Sequence, residues 1–562
     1  MAKAKGIARP GSTKDKFAGI RSAIKRHGER LLAIPNVIEV RPGFKFKEGW
    51  ITNQPAIVVT VLRKVSPGEL KPRERIPAEI DGIPTDIAPA SPVEQLQHLA
   101  PKMRGGIVTP PLSQFFLPGA EAAKGPAASN AVRGLAANNK NYKKPPKVQL
   151  KEVNEKVNLI CHASPDAGWP KLNEFFGGIK DHFTFAMYDF TATHIFKSLQ
   201  GAMGAAKGAL QVCYDSKGST DRAGEMTEED VIKDLQKALN QRCQIAKAAV
   251  GKLYPNAYHI KVAVRDSKAF WISSGNWQGS NLPNVDAAKL SVDEQRKLLA
   301  GHNREWHVIA EHPSLAQTFE KFIQWDMSEA ARVTQRGDLL LQPAEPELFL
   351  PLEEVTRAAP KPVQIFPPCA IKATKIRIQP LLTPDNYGEF IVPLIKSAKK
   401  TLYFQNQYIN YGPNGGVLDK LVNALLDRIK HGVDVKIILR DGDTRKMLEA
   451  LQNKGFNANQ IKLLKGCHNK GIVVDSQVAV VSSQNWSGDG VQFNRDAGLI
   501  MYHPTIAQYF EKIFLYDWNS RAHQKAAAEV AMPLVPPLVA AKKTTRGGPS
   551  WRKIAWSDFH GD

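Results

Sequence analysis

Residues 258–277, YHIKVAVRDSKAFWISSGNW, recur in outline at 467–486 as CHNKGIVVDSQVAVVSSQNW. Both stretches give His-x-Lys, four residues, Asp, six residues, then Ser-Ser-x-Asn-Trp. A second shared block follows each one: NREWHVIAEHPSLAQTFEKFIQWD from Asn303 and NRDAGLIMYHPTIAQYFEKIFLYD from Asn494. The histidines lie 209 residues apart and the later blocks 191 apart, so the first copy holds 18 more residues, within QGSNLPNVDAAKLSVDEQRKLLAG. Upstream, GALQVCYD and VDVKIILRD read as equivalent strands, as do FTFAMYDF and TLYFQNQYI. Repetition on this scale marks a duplicated domain. Alternating strand and helix patterns in both copies predict α/β layers.

In each copy the His and Lys stand two apart on a stretch that reads as a strand, so imidazole and ammonium share a face. The apolar run after them fits a buried strand that ends at Asp and a turn. A second strand then returns Ser-x-Asn to the same edge. The product is a histidine ringed by a cation, a hydroxyl and an amide, a set of donors suited to the charged oxygens of a phosphodiester. The candidates are His259, Lys261, Ser274 and Asn276 from the first copy, with His468, Lys470, Ser483 and Asn485 from the second. A lone histidine is usually structural, but a repeated constellation favours chemistry. The five cysteines are scattered with no CxxC pair, which indicates neither a disulfide framework nor a zinc cluster. No metal and no cofactor is expected.

These residues form the HxKx4Dx6(G/S)SxN signature, and the chain resembles the phospholipase D superfamily over about 151–525. The resemblance implies two tandem α-β-α sandwich domains related by pseudo-two-fold symmetry, with the two histidines facing each other across one phosphate. It implies that one histidine attacks to form a covalent phosphohistidine, and family precedent favours His259 over His468 for that role, with the reverse order left open. His468 then protonates the leaving oxygen and activates water or an alcohol. Lys261, Lys470, Asn276, Asn485, Ser274 and Ser483 would hold the non-bridging oxygens. Glu305 and Asp496, in the matched NRE and NRD triplets, would accept from each imidazole's second nitrogen. Asp266 and Asp475 are expected to stabilise the domains at strand ends. One chain suffices for a complete site, so no oligomer is required.

Around this pair the chain divides further. Residues 1–105 read as a small α+β unit, with a helix near Lys14–Leu32 and β-rich runs after it. Its segments IPNVIEVRPGFKF, AIVVTVLRKV and IPAEIDGIPTDI resemble a small domain that precedes some bacterial trypsin-like proteases. No protease motif follows here, so an accessory module is expected. Residues 106–150 and 342–372 read as Pro-rich linkers, the first closing on a basic patch (Lys140, Lys143, Lys144, Lys147). They bracket domains at 151–341 and 373–525, and 526–562 reads as a basic tail. No apolar leader or run of about 20 apolar residues is visible, so a cytoplasmic protein without a transmembrane segment is expected.

Other features have plain readings. Trp277 and Trp486 are expected in the core, and Cys467 as a packed thiol. GAMGAAKGAL lacks the Gly-Lys-Ser/Thr ending of a phosphate loop. The apolar PPLSQFFLPG stretch at 110–119 fits docking on the protein's own core as well as a membrane interface. The net charge of +22 implies attraction to polyanions, either nucleic acid or an anionic membrane touched peripherally. The expected substrate is a phosphodiester, with phospholipid head-group hydrolysis or transfer preferred. A metal-independent nuclease is the alternative, and a polyanion-binding scaffold without turnover is a third class.

Overall fold

The computed structural model describes residues 16–90, 94, 95, 98, 142–215, 225–334, 362–411, 416–441 and 445–524, apart from positions 48, 49, 66 and 256. The stretch 110–119, Lys140 and the tail 526–562 lie outside the described residues.

The N-terminal unit has a helix, Ala18–Leu32, and the strands β1 (Val37–Lys47), β2 (Trp50–Val61), β3 (Glu79–Ile80) and β4 (Ile83–Pro89). These form one sheet in the order β1-β2-β4-β3. The unit is seated on helix Arg445–Lys454 of the second repeat. Arg41 pairs with Glu449 at 2.5 Å, Arg445 pairs with Asp86, and Lys446 reaches Glu39 at 3.1 Å. Its apolar residues Phe44, Phe46 and Ile57 belong to the same core as Leu448 and Leu451. The module is therefore built into the second repeat by apolar burial and by buried ion pairs.

The first repeat supplies β5 (Val153–Ser164), β6 (Phe183–Met187), β7 (Leu210–Tyr214), β8 (Cys243–Lys247), β9 (Lys261–Arg265), β10 (Ala269–Ser273) and β11 (Glu305–Glu311). The second supplies β12 (Cys369–Thr383), β13 (Thr401–Gln405), β14 (Asp434–Arg440), β15 (Ile461–Leu464), β16 (Lys470–Val474), β17 (Val478–Ser482) and β18 (Asp496–Tyr502). All fourteen form one sheet, ordered β15-β14-β13-β16-β17-β18-β12-β5-β11-β10-β9-β6-β7-β8. Read outwards from the antiparallel β12–β5 seam, the two halves run in the same order, which is the expected pseudo-two-fold.

Side chains on neighbouring strand positions enter different cores. Val262 and Val264 face a central core shared by both halves, whereas Ala263 faces a core of the first half alone. Helices Pro313–Thr334 and Pro504–Tyr516 cover the shared side, and Phe319 and Phe510 both lie in that core. The fold is thus α/β, with helices on both faces of the sheet. The 18 extra residues of the first copy include a helix, Val292–Gly301, whose Ser291 and Glu294 form a capping box.

Two buried arginines tie the halves together. Arg304 binds Asp517 (Nε–Oδ2 2.9 Å), Asp166 and the Ser164 carbonyl (3.0 Å). Arg495 mirrors it on Asp326 (2.9 and 2.7 Å), Asp385 (2.8 Å) and the Thr383 carbonyl (3.1 Å). Burial alone would lower each guanidinium, but the facing carboxylates outweigh it and raise both. The last residues of each Pro-rich stretch dock on these networks. Tyr142 bonds Asp385 at 2.8 Å and receives Arg495 at 3.1 Å, while the Phe366 amide donates to Asp166 at 2.9 Å. Removing one partner of such a group leaves an uncompensated buried charge. Arg495→Met should therefore cost about 3–5 kcal/mol, read as a fall in the urea midpoint. An unchanged midpoint would show that the network carries no stability.

Candidate active site

Each signature copy forms a tight hairpin, β9–β10 in the first half and β16–β17 in the second. Its turn residues, Asp266-Ser267 and Asp475-Ser476, all have positive φ between 51° and 55°. The amides of Lys268 and Gln477 close the turns onto the carbonyls of Arg265 (3.0 Å) and Val474 (2.9 Å). This is a type I′ turn, which matches the twist of the strands and which Asp tolerates better than most residues. Asp266 accepts amides from Asp181 (2.8 Å) and His182 (3.1 Å), and Asp475 those of Lys400 (2.7 Å) and Thr401 (2.8 Å). Both carboxylates thus anchor the start of the neighbouring strand, far along the hairpin from the histidines.

At the other end of each hairpin the two halves interlock. The Arg304 amide donates to the Gly466 carbonyl at 2.7 Å, and the Asn469 amide donates to the Arg304 carbonyl at 2.9 Å. Symmetrically, the Arg495 amide donates to the Ala257 carbonyl at 3.2 Å. The loop before each His-x-Lys therefore lies against the strand start of the opposite half.

The orienting carboxylates consequently serve crosswise. His259 Nδ1 donates to Asp496 Oδ1 at 2.7 Å, and His468 Nδ1 donates to Glu305 Oε1. His259 is 4% exposed and His468 is 0%, so both pairs are screened from solvent. With Nδ1 engaged, Nε2 is the nitrogen left for chemistry on each ring. Burial would raise the Glu305 carboxyl, but His468, Lys470 and the Ser274 hydroxyl together hold it below the usual carboxylate range.

Lys261 donates to the His259 carbonyl (2.7 Å) and Lys470 to the His468 carbonyl (2.5 Å), which fixes each ammonium beside its imidazole. Lys470 Nζ also lies 3.4 Å from His468 Nε2. The Asn276 amide, with both polar atoms buried, has no hydrogen-bond partner, and neither does Asn485 Oδ1. The serines lie beside the orienting carboxylates. Ser274 Oγ donates to Glu305 Oε2 at 2.6 Å, and Ser483 Oγ donates to Asp496 Oδ1 at 2.6 Å. Each hydroxyl thus reaches the carboxylate that holds the opposite repeat's histidine. Trp277 and Trp486 are buried in the outer cores, and Cys467 is a packed thiol raised by burial.

Some residues escaped the sequence reading. Arg304 and Arg495 sat in the quoted triplets, and their partners Asp326 and Asp517 close the quoted blocks, but nothing local pairs them across the repeat. Tyr188 meets the His259 ring edge-on at 4.8 Å and lies under Lys261 at 5.0 Å. Trp306 packs on Gly471 so closely that a Cβ there would enter the indole, which explains glycine after Lys470. Among the described residues, no group of three or more His, Cys, Asp or Glu is placed to hold a metal.

The pairing of Glu305 with His468 has a pH signature. A carboxyl held low contributes stability above its unfolded value of about 4.3. That contribution is lost as pH falls through the lower folded value. Carbon-13 NMR of labelled glutamate should place Glu305 below the usual range in the native chain and higher in His468→Ala. An identical titration in both would break the pairing.

Residues 391–518 match the family described as cardiolipin synthase, PLD-like domain. A cardiolipin synthase from Clostridium perfringens (strain SM101 / Type A) is 33% identical over 132 residues, covering 22% of this chain and 26% of the relative. The chain thus matches about a quarter of that relative's length. Among solved structures, phosphatidylserine synthase of Haemophilus influenzae Rd KW20 covers 70% of this chain and 92% of its own, with 13% identity and a TM-score of 0.45. Nuc of Salmonella typhimurium, a phospholipase D family member, covers 26% of this chain and 99% of its own, with 21% identity and a TM-score of 0.23. Among the described residues no helix is long and apolar enough to cross a membrane. Two signature copies interlock at their histidines, and the second copy lies inside residues 391–518, the segment that matches the PLD-like domain family.

Proposed function

We propose that the chain is a phosphoric diester hydrolase or transferase acting on phospholipid head groups through a covalent phosphohistidine. The observation that carries this reading is the crossed pair, two buried imidazoles each held at Nδ1 by a carboxylate of the other half. Nε2 of one histidine, His259 in our assignment, attacks phosphorus as the bond to the leaving oxygen breaks. That oxygen takes a proton from His468. Water or an alcohol then gives a proton to His468 and displaces His259 from phosphorus, which restores both rings. The scheme needs one imidazole to attack phosphorus while the other carries the proton for the leaving oxygen. Lys261, Lys470, Asn276 and Asn485 stabilise the charge that develops on the non-bridging oxygens, and Ser274 and Ser483 position the orienting carboxylates. Loss of one oxyanion donor typically costs about 10²–10³ in rate.

The lipid direction rests on the match of residues 391–518 to the cardiolipin synthase, PLD-like domain, and on the relative of that name. The net charge of +22 supports a second reading, a nuclease. One experiment separates them. Purified chain is offered phosphatidylglycerol and phosphatidylcholine vesicles, and single- and double-stranded DNA, with His259→Ala and His468→Ala as controls. The expected result is head-group release or transfer from vesicles that either substitution abolishes. Cleavage of DNA alone would replace lipid by nucleic acid, and full turnover by either variant would end the shared-site reading.

A further inference from the structure

The first half contains a buried histidine that the proposed chemistry does not use. His307 lies two positions after Glu305 on β11, hence on the same face of the strand. It is fully buried, and both of its ring nitrogens are engaged. Nδ1 is hydrogen-bonded to Ser273 Oγ at 2.7 Å and Nε2 to Ser164 Oγ at 2.8 Å. The ring also stacks on His162 at 4.9 Å and on Trp271 at 5.7 Å.

Both serines lead to the site. Ser273 Oγ accepts the Gly275 amide at 2.8 Å, which closes the tight turn that presents Ser274 and Asn276. Ser274 bonds Glu305, and the Asn276 amide is the buried group without a partner. Ser164 ends β5, and its carbonyl receives Arg304, the residue before Glu305. His307 thus joins the two segments that flank the carboxylate holding His468.

The second half is a built-in control. The strand partner of Ser273 is His307, and that of Ser482, the matching residue, is Gly498. Ser482 Oγ instead donates to the Lys470 carbonyl at 2.9 Å. A Cβ at Gly498 would lie 2.7 Å from that of Ser482, so the second turn is built without a side chain there.

We infer that His307 is a positioning residue for the first half-site, bracing through Ser273 the turn that aims Asn276 and through Ser164 the strand that carries Glu305. Burial, and then the neighbouring His162, drive its protonation well below the usual histidine range, and burial takes His162 down to about 3. His307 is therefore a neutral strut held between two serine hydroxyls. Its effect on turnover rests on the phosphodiester reading above.

The test uses the full chain, bis(p-nitrophenyl) phosphate for turnover and inorganic phosphate for binding by calorimetry. His307→Phe fills the space but removes both bonds. His307→Asn places an amide near Nδ1, within reach of Ser273, whereas His307→Gln reaches towards Ser164. The Phe variant should lose about ten- to a hundred-fold in kcat with KM changed less than about two-fold. It should also bind phosphate more weakly, and Asn should restore more of both quantities than Gln. Native kcat in the Phe variant, or equal losses in Phe and Asn, would overturn the inference. If the Phe variant fails to fold, Ser273→Ala cuts the same link. It should show the same loss of kcat, and full activity there would refute the brace. If the native chain does not turn over the diester, the proposed function falls, and phosphate affinity still decides: Asn tighter than Phe supports the brace, equal affinities refute it.

Discussion

The proposed active centre depends on a crossed exchange of carboxylates. Glu305 belongs to the first repeat and holds His468 of the second, while Asp496 belongs to the second and holds His259 of the first. Each half supplies the carboxylate on Nδ1 of the other half's histidine. Each imidazole meets its carboxylate only when the opposite repeat is folded and docked. The β12–β5 seam, the shared core and the interlocked loops before each His-x-Lys are what make the exchange possible.

Arg304 and Arg495 are part of the same device. Each stands directly before an orienting carboxylate and is clamped by aspartates from both repeats. A buried guanidinium is costly unless it is fully paired, and the pairing here fixes the depth and rotation of the carboxylate beside it. The two centres are not copies of one another. Asp496 takes His259 and Ser483 on one oxygen, whereas Glu305 uses separate oxygens for His468 and Ser274. Tyr188 abuts only the first histidine, and His307 braces only the first turn. Two histidines with the same signature therefore stand in unlike surroundings.

Much of this was legible in the sequence because the signature is local. His and Lys two apart on a strand share a face whatever surrounds them, and Asp266 and Asp475 fall at turns whose positive φ Asp tolerates better than most residues. The repeat itself announced two like halves. What the sequence did not disclose is long-range pairing. Nothing in NRE or NRD says that its carboxylate serves the other repeat, or that Ser274 and Ser483 would give their protons to those carboxylates. The seat of the N-terminal module on helix Arg445–Lys454 is likewise invisible, because Arg41 and Glu449 lie 408 residues apart. His307 sat in the quoted block, but its meaning needed the contrast with Gly498 in the folded sheet.

The crossed exchange is tested most directly by nitrogen-15 NMR of labelled histidines in Glu305→Gln and Asp496→Asn. Glutamine at 305 should disturb the Nδ1 signal of His468 and leave that of His259 in place, and asparagine at 496 should do the reverse. Disturbance of the histidine in the same repeat as the substitution, with the opposite one untouched, would contradict the account.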